Sequence, residues 1–316
     1  RRALKRRATA GRGTLDGNGN LIPSIPKPCC SAELTARHET LFEEYFEHPY
    51  SGSVNGNVID AYVTGTLSLT TDSDIILKND IEIDENGGFT IDITEYTSDY
   101  DVLILKTNND CKDILTDEIL EDTLSMIFHT TNMSDDLQCI NILTTLVKSA
   151  VVEDTSSDDK MSLISQHKTE IANGLGLTSE DITKDFILHE DDNLNQTHQQ
   201  CWSIISSCKT LLDTDTTDVI DHLKKEIVRS KGENDTLFDN NSIENIITAI
   251  NDKKQGGKKN ANDLGKIKEF IKKRKDDIKT LANDNTKTFY EKVAHQEKSR
   301  RAARKTVKDN TNLDTL

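Results

Sequence analysis

The chain has no run of about 18 or more apolar residues, which excludes a membrane-spanning helix. Aromatic residues make up only 5% and hydrophobic residues 34% of its 316 positions, enough for modest cores rather than one large one. The length itself suggests two or three domains. Proline is scarce, and all four (Pro23, Pro26, Pro28, Pro49) precede residue 50, so helices and strands are unbroken beyond it. The six cysteines (Cys29, Cys30, Cys111, Cys139, Cys201, Cys208) form no CxxC pair and match neither a zinc ribbon nor a small disulfide framework. They are expected to be buried or free thiols, as in a reducing compartment. No charged segment followed by an apolar core opens the chain, so no secretory signal is expected in it.

Recognisable catalytic motifs are missing as well. Neither GxxxxGK[ST] nor GxGxxG occurs, which removes support for nucleotide hydrolysis or dinucleotide binding. There is no HExxH and no GxSxG. In "DGNGN", Asp16, Asn18 and Asn20 alternate as in a calcium loop, but Lys27 stands where the closing Glu is needed. "HEDDNLNQTHQQC" gathers His189, Asp191, Asp192, His198 and Cys201; it reads as an acidic loop entering an amphipathic helix with Cys201 in the core, not as a metal site. No catalytic residue, cofactor or metal is expected.

Charge is plentiful and unevenly placed. The net charge is −16. Arg1, Arg2, Lys5, Arg6, Arg7 and Arg12 give the first twelve residues six cations and no acid, and residues 251–310 hold 19 Lys/Arg against nine acids. The stretch between them is strongly acidic. Two basic ends around an acidic body point to nucleic acid, an acidic protein surface or another copy as partner, or to plain solvated tails.

Along the chain, residues 1–49 read as a basic, extended arm with a short helix in "AELTARHETLFEEYFEH" (32–48). Over 50–142 the period is two: "DIEID" and "FTIDI" alternate, and "ENGG" between them is a hairpin turn. Over 143–250 the period is helical. Leu143, Leu146, Val147 and Ala150 share one face, as do Cys201, Ile204, Ile205, Cys208, Leu211 and Leu212. A capping pair, Asn241 with Glu244, opens "NSIENIITAI". "QGGKKN" breaks the pattern and begins a basic helical segment, 251–316. There Leu264, Ile271 and Ile278 recur every seven residues, as do Ile267, Arg274 and Leu281. This is either a coiled-coil seam or the buried face of an amphipathic helix. The final helix, with Arg300, Arg301 and Arg304, is expected to be solvated or bound to a partner.

The stretch "GNVIDAYVTGTLSL" followed by "IDENGGFTIDI" resembles the carboxypeptidase-regulatory-like, prealbumin-type β-sandwich. Gly56, Val58, Asp60, Tyr62, Val63 and Gly65 carry its first half, and Asp84, Gly87 or Gly88, and Phe89 its second. Thr66-Leu67 replaces the family's Ala-Val. On this reading Gly65 turns the chain into the next strand, Tyr62 and Val63 close the core edge, and Gly88 supplies the turn before Phe89. A looser, collinear resemblance to multidomain surface and virion-like proteins covers roughly 53–212, through "DILTDEILEDTLSMIF", "INILTTLVKSAV" and "EIANGLGLTSEDI". It implies that 113–128 is extended, although Leu115, Ile119 and Met126 would suit a helix.

The expected fold is α+β and multidomain: an antiparallel Ig/prealbumin-like sandwich, an α-helical domain and a basic helical segment. The resemblance implies a non-catalytic module, and with the basic arm it implies a structural component of a large-virus particle that bridges neighbours or copies of itself. Secreted or cell-surface adhesion is one alternative. Binding of nucleic acid through "RRALKRR" and "KSRRAARK", without reading sequence, is another.

Overall fold

The computed structural model describes residues 14–15, 21–22, 53–130, 138–230 and 240–309. The basic arm residues Arg1, Arg2, Lys5, Arg6, Arg7 and Arg12, the expected helix over 32–48, and Cys29 and Cys30 lie outside them. The chain is mixed α+β, with mainly antiparallel sheets and seven helices among the described residues. No described helix is long and apolar enough to cross a membrane.

A short hairpin, β1 (Thr14–Leu15) with β2 (Leu21–Ile22), comes first. Then β3 (Ser53–Val58), β4 (Val63–Thr70), β5 (Ile76–Ile83), β6 (Gly88–Asp92), β7 (Val102–Thr107), β8 (Lys112–Asp113), β9 (Ser125–His129) and β10 (Gln138–Ile140) form two sheets. One has the order β10-β3-β6; the other runs β5-β4-β7-β9, with β8 paired to β4. Alternation orients the outer strands. Ile81, Ile83, Phe89 and Ile91 are buried, whereas Asp80, Glu82, Thr90 and Asp92 between and beside them face water. Inner strand β7 has a neighbour on each side, and Val102–Leu105 is buried throughout.

Several details differ from the sequence expectation. β10 pairs with β3 in parallel, returning the chain to its first long strand after the excursion through β9. Segment 113–128 is non-helical, but strand is confined to Asp113 at the end of β8 and to β9 from Ser125; the part between them turns, with Asp117 at φ 54. The left-handed residue in "ENGG" is Gly87 (φ 81), and Gly88 already belongs to β6. Asp84 organises that turn by accepting bonds at Oδ1 from Asn86 N (2.7 Å) and Gly88 N (2.8 Å). Gly65 lies within β4 rather than at a turn. It adopts φ 126, and a Cβ there would sit 2.7 Å from the Cα of Cys111. The turn falls instead at 59–62, with Tyr62 itself at φ 65.

The helices are α1 (Ile142–Glu153), α2 (Lys160–Gly174), α3 (Asp192–Leu212), α4 (Thr216–Ser230), α5 (Asn240–Lys253), α6 (Ala261–Ala282) and α7 (Phe289–Asp309). Asn141 caps α1 in a reciprocal box with Thr144, and Asn260 caps α6 through Asp263 N at 3.0 Å. Asn241 falls inside α5, so its pairing with Glu244 is no helix start; Glu244 pairs with Lys268 instead.

Helix α3 is the hub. Its predicted stripe is buried, and so are Asn195, His198, Gln199, Ser203, Ser206 and Ser207 on its other sides. It packs against α1, α4, α5, α6 and α7. The heptad residues Ile267, Ile271 and Ile278 are buried and Leu264 and Leu281 half-buried, against α3 and α5 of the same chain. Arg274, at a seam position, reaches out to Ser203 Oγ at 3.3 Å. One apolar cluster runs from both sheets through the helices.

Candidate functional site

The stretch 57–62, "NVIDAY", joins the strands to the helices. Asn57, Asp60 and Tyr62 are all buried, and each meets a group far along the chain. Asn57 Nδ2 donates to Asp185 Oδ2 at 2.8 Å, and Tyr62 OH donates to the same oxygen at 3.2 Å. Asp185 also accepts from Ile187 N (2.9 Å) and Leu188 N (2.8 Å), fixing the segment that leads into α3.

Asp60 belongs to a denser cluster. Its Oδ2 accepts from Arg300 Nη2 at 2.6 Å, and the same nitrogen donates to Glu297 Oε2 at 2.6 Å. Glu297 Oε1 accepts from Gln199 Nε2 of α3 at 2.7 Å. Arg301 Nη2 lies 3.2 Å from Asp113 Oδ2, and its Nη1 donates to Glu118 at 3.2 Å. Arg300 also lies over the Trp202 ring, 5.0 Å from its centroid. Asp60, Asp113, Glu297, Arg300 and Arg301 are each at most 8% exposed. Helical geometry explains the α7 side: Glu297 and Arg300 are one turn apart, and Arg301 follows at the edge of the same face.

Burial and proximity shift the protonation of this group. Burial pushes the Glu297 carboxyl up to about 8, against the pull of Arg300. Asp113 is raised by burial and by Asp60 beside it, with Arg301 and Arg300 opposing. Burial would raise Asp60 too, but Arg300 outweighs it and holds the carboxyl below its usual range. His198, beside them on α3, is pressed down to about 3 by burial, against the attraction of Asp60. At neutral pH Asp60 is therefore ionised against the Arg300 guanidinium, with the Glu297 proton retained.

Oxygens of Asp60, Asp113 and Glu297 lie within 4.8 Å of one another, a spacing that a metal ion could bridge. The Arg300 guanidinium already supplies the cation there, bonded to two of the three. A metal would have to displace it and then sit beside Arg301.

Of the fold-motif residues, Asp60 and Tyr62 enter these buried networks. Gly56, Val58 and Phe89 are buried in β3 and β6, Gly56 against the Gln138 carbonyl and the Phe89 ring. Asp84 closes the β5–β6 turn by accepting from Gly88 N at the start of β6, and Gly65 packs under Cys111. Arg300 and Arg301, expected at a solvated or partner-bound surface, are buried inside the chain that carries them. The side chain of Arg304 lies outside the described residues. Sequence reading missed Asn57, Asp113, Asp185 and Gln199; for Glu297 the available signal was an acid one turn before an arginine in an otherwise basic helix. The four described cysteines are buried free thiols.

No protein-family model, no curated protein and no solved structure matches the chain.

Proposed function

We propose that this is a non-catalytic structural protein that works by assembly. The reading rests chiefly on the Asp60–Arg300–Glu297 cluster. Its charged groups are paired with one another and withdrawn from solvent, so they tie α7 to the strands rather than meet a substrate. A buried ionic network contributes little net stability but penalises wrong arrangements. That suits a body whose surfaces must be held in register.

The sequence resemblance adds the finer reading: a prealbumin-type sandwich followed by a helical domain, used as a minor component of a large-virus particle. The charge distribution supports contacts between neighbours. Residues 53–130 hold seventeen acids against three lysines, while the first twelve residues are purely basic. Binding of nucleic acid through "KSRRAARK" is less favoured, because Arg300 and Arg301 are occupied internally.

Light scattering on the full chain at low and high salt tests the proposal. An assembly protein with charged contacts gives a mass above one chain at low salt that falls as salt screens them. A single-chain mass at every salt and concentration would remove the self-assembly reading.

A further inference from the structure

Helix α7 is seated in two different ways along its length. Phe289, Tyr290 and Val293, in its first turns, are buried in the apolar cluster shared by the sheets and the helices. From Gln296 onward every described side chain that is buried is polar or charged: Gln296, Glu297, Arg300 and Arg301. Hydrogen bonds and ion pairs therefore hold this second half. Gln296 Oε1 accepts from Asn195 Nδ2 at 2.8 Å, Gln199 donates to Glu297, and the two arginines reach Asp60, Asp113 and Glu118. Apolar burial is indifferent to pH, whereas these contacts depend on which carboxyls are charged.

The seat holds one acid too many. The buried carboxyls of Asp60, Asp113 and Glu297 have oxygens within 4.8 Å of one another, and two guanidinium ions, Arg300 and Arg301, face them. Arg301 is further shared with Glu118, whose side chain is mostly exposed. Carboxylates so close together in a buried site do not all ionise against two cations, so a proton stays among them. Glu297 keeps it: burial above all, and then Asp60 and Asp113, raise its carboxyl to about 8 against the pull of Arg300. On α3, His198 is pressed down to about 3 and is neutral above it, and on α6 Arg274 reaches the Ser299 carbonyl at 3.5 Å.

We propose that the half of α7 from Gln296 onward is a latch fastened by a proton. It is seated while one carboxyl of the buried trio stays protonated, and it lifts off α3 and the strand ends as pH rises and that proton leaves. The turns that bear Phe289, Tyr290 and Val293 stay anchored and serve as the hinge. Release presents Arg300 and Arg301 to solvent beside Lys298 and Lys305, which are exposed already, and uncovers the Trp202 ring that Arg300 overlies. The latch does not depend on assembly, since a single chain carries every part of it. The seated half holds a proton that the released half gives up, so seating is strongest below 4.5 and weakens as pH rises to about 8. Asp113, also raised, acts in the same direction. His198 opposes them, but only between about 3 and 6.5. From pH 6.5 to about 8 the carboxyls act alone, and the released fraction rises by up to about tenfold per pH unit.

Hydrogen exchange of the full chain, read by mass spectrometry and corrected for the intrinsic effect of pH, tests this between pH 6.5 and about 8. Protection of amides 297–303 is expected to fall by up to about tenfold per pH unit and then level off, while Val293, Ala294 and α3 hold theirs. Glu297→Gln has no proton to lose, and Gln199 can turn its amide to meet it, so its protection stays at the wild-type acid level throughout. Protection that does not change with pH in the wild type overturns the latch. A fall shared by α3 is global opening and overturns it as well. A fall that persists undiminished in folded Glu297→Gln overturns the proton as its cause. If that variant does not fold, the wild-type profile decides alone, because a fall that continues unchanged beyond about pH 9 does not come from a carboxyl held at about 8.

Discussion

Asp60 and Arg300 are 240 positions apart in the chain, yet their side chains meet at 2.6 Å, 3% and 2% exposed. One belongs to the turn between β3 and β4, the other to the last helix. Removing one member strands the other charges. Arg300→Met is expected to cost about 3–5 kcal/mol in chemical denaturation, since Asp60 loses its cation and Glu297 its hydrogen-bond donor. Asp60→Asn combined with Arg300→Met should be less unstable than the two single losses added together. Strict additivity would show that the pair is not coupled.

Stability should depend on pH through two groups in this cluster. Glu297 is raised from 4.5 to about 8, so the folded chain keeps a proton that the unfolded chain releases. Its contribution is complete below pH 4.5 and is lost as pH rises to 8. His198 is lowered from 6.5 to about 3, so here the unfolded chain binds the extra proton, and stability rises with pH between those values. Melting temperatures across pH should show Glu297→Gln flattening the decline between pH 4.5 and about 8. A variant with an unchanged profile would remove Glu297 as the source.

Two glycines should respond oppositely to alanine. At Gly56 a Cβ would lie 2.0 Å from the Gln138 carbonyl oxygen and 2.6 Å from the Phe89 ring, where β10, β3 and β6 meet. Gly56→Ala should cost at least ~1–3 kcal/mol by overpacking. Gly265→Ala meets nothing and should stabilise α6 by roughly 0.5–1 kcal/mol. Denaturant midpoints of the two variants decide this, and a stabilised Gly56→Ala would contradict the β10–β3 packing.

The buried thiols should be inert in the folded chain. Burial raises Cys201 and Cys208 to about 12 and Cys111 to about 11, leaving little thiolate at neutral pH. Alkylation followed by peptide mapping should leave these three unmodified in native protein and label them in denaturant. Rapid native labelling of Cys201 would mean that α3 is not the covered hub described above.

How much of this was legible beforehand can be judged from particular elements. The alternation in "DIEID" and "FTIDI" specifies β5 and β6, because a period of two makes one sheet face apolar. The stripe from Cys201 to Leu212 specifies α3 in the same way. The motif "NVIDAY" marked Asp60 and Tyr62 as fold residues, but nothing local named Arg300 or Asp185 as their partners. Parallel pairing of β10 with β3 was equally hidden, since only three residues carry it.

The sequence by itself determined which faces are apolar and that opposite charges are concentrated in different segments. Those are local properties, set by side-chain periodicity and backbone preference. Tertiary structure alone decided what covers each face. The heptad residues of α6 offer the same pattern to a second chain as to α3. Arg300 and Arg301 look, on a basic helix, like Lys298 and Lys305, which remain exposed. The difference arises because α7 crosses the turn that bears Asp60 and the strand end that bears Asp113. Charges separated by most of the chain are brought into a space where water cannot screen them.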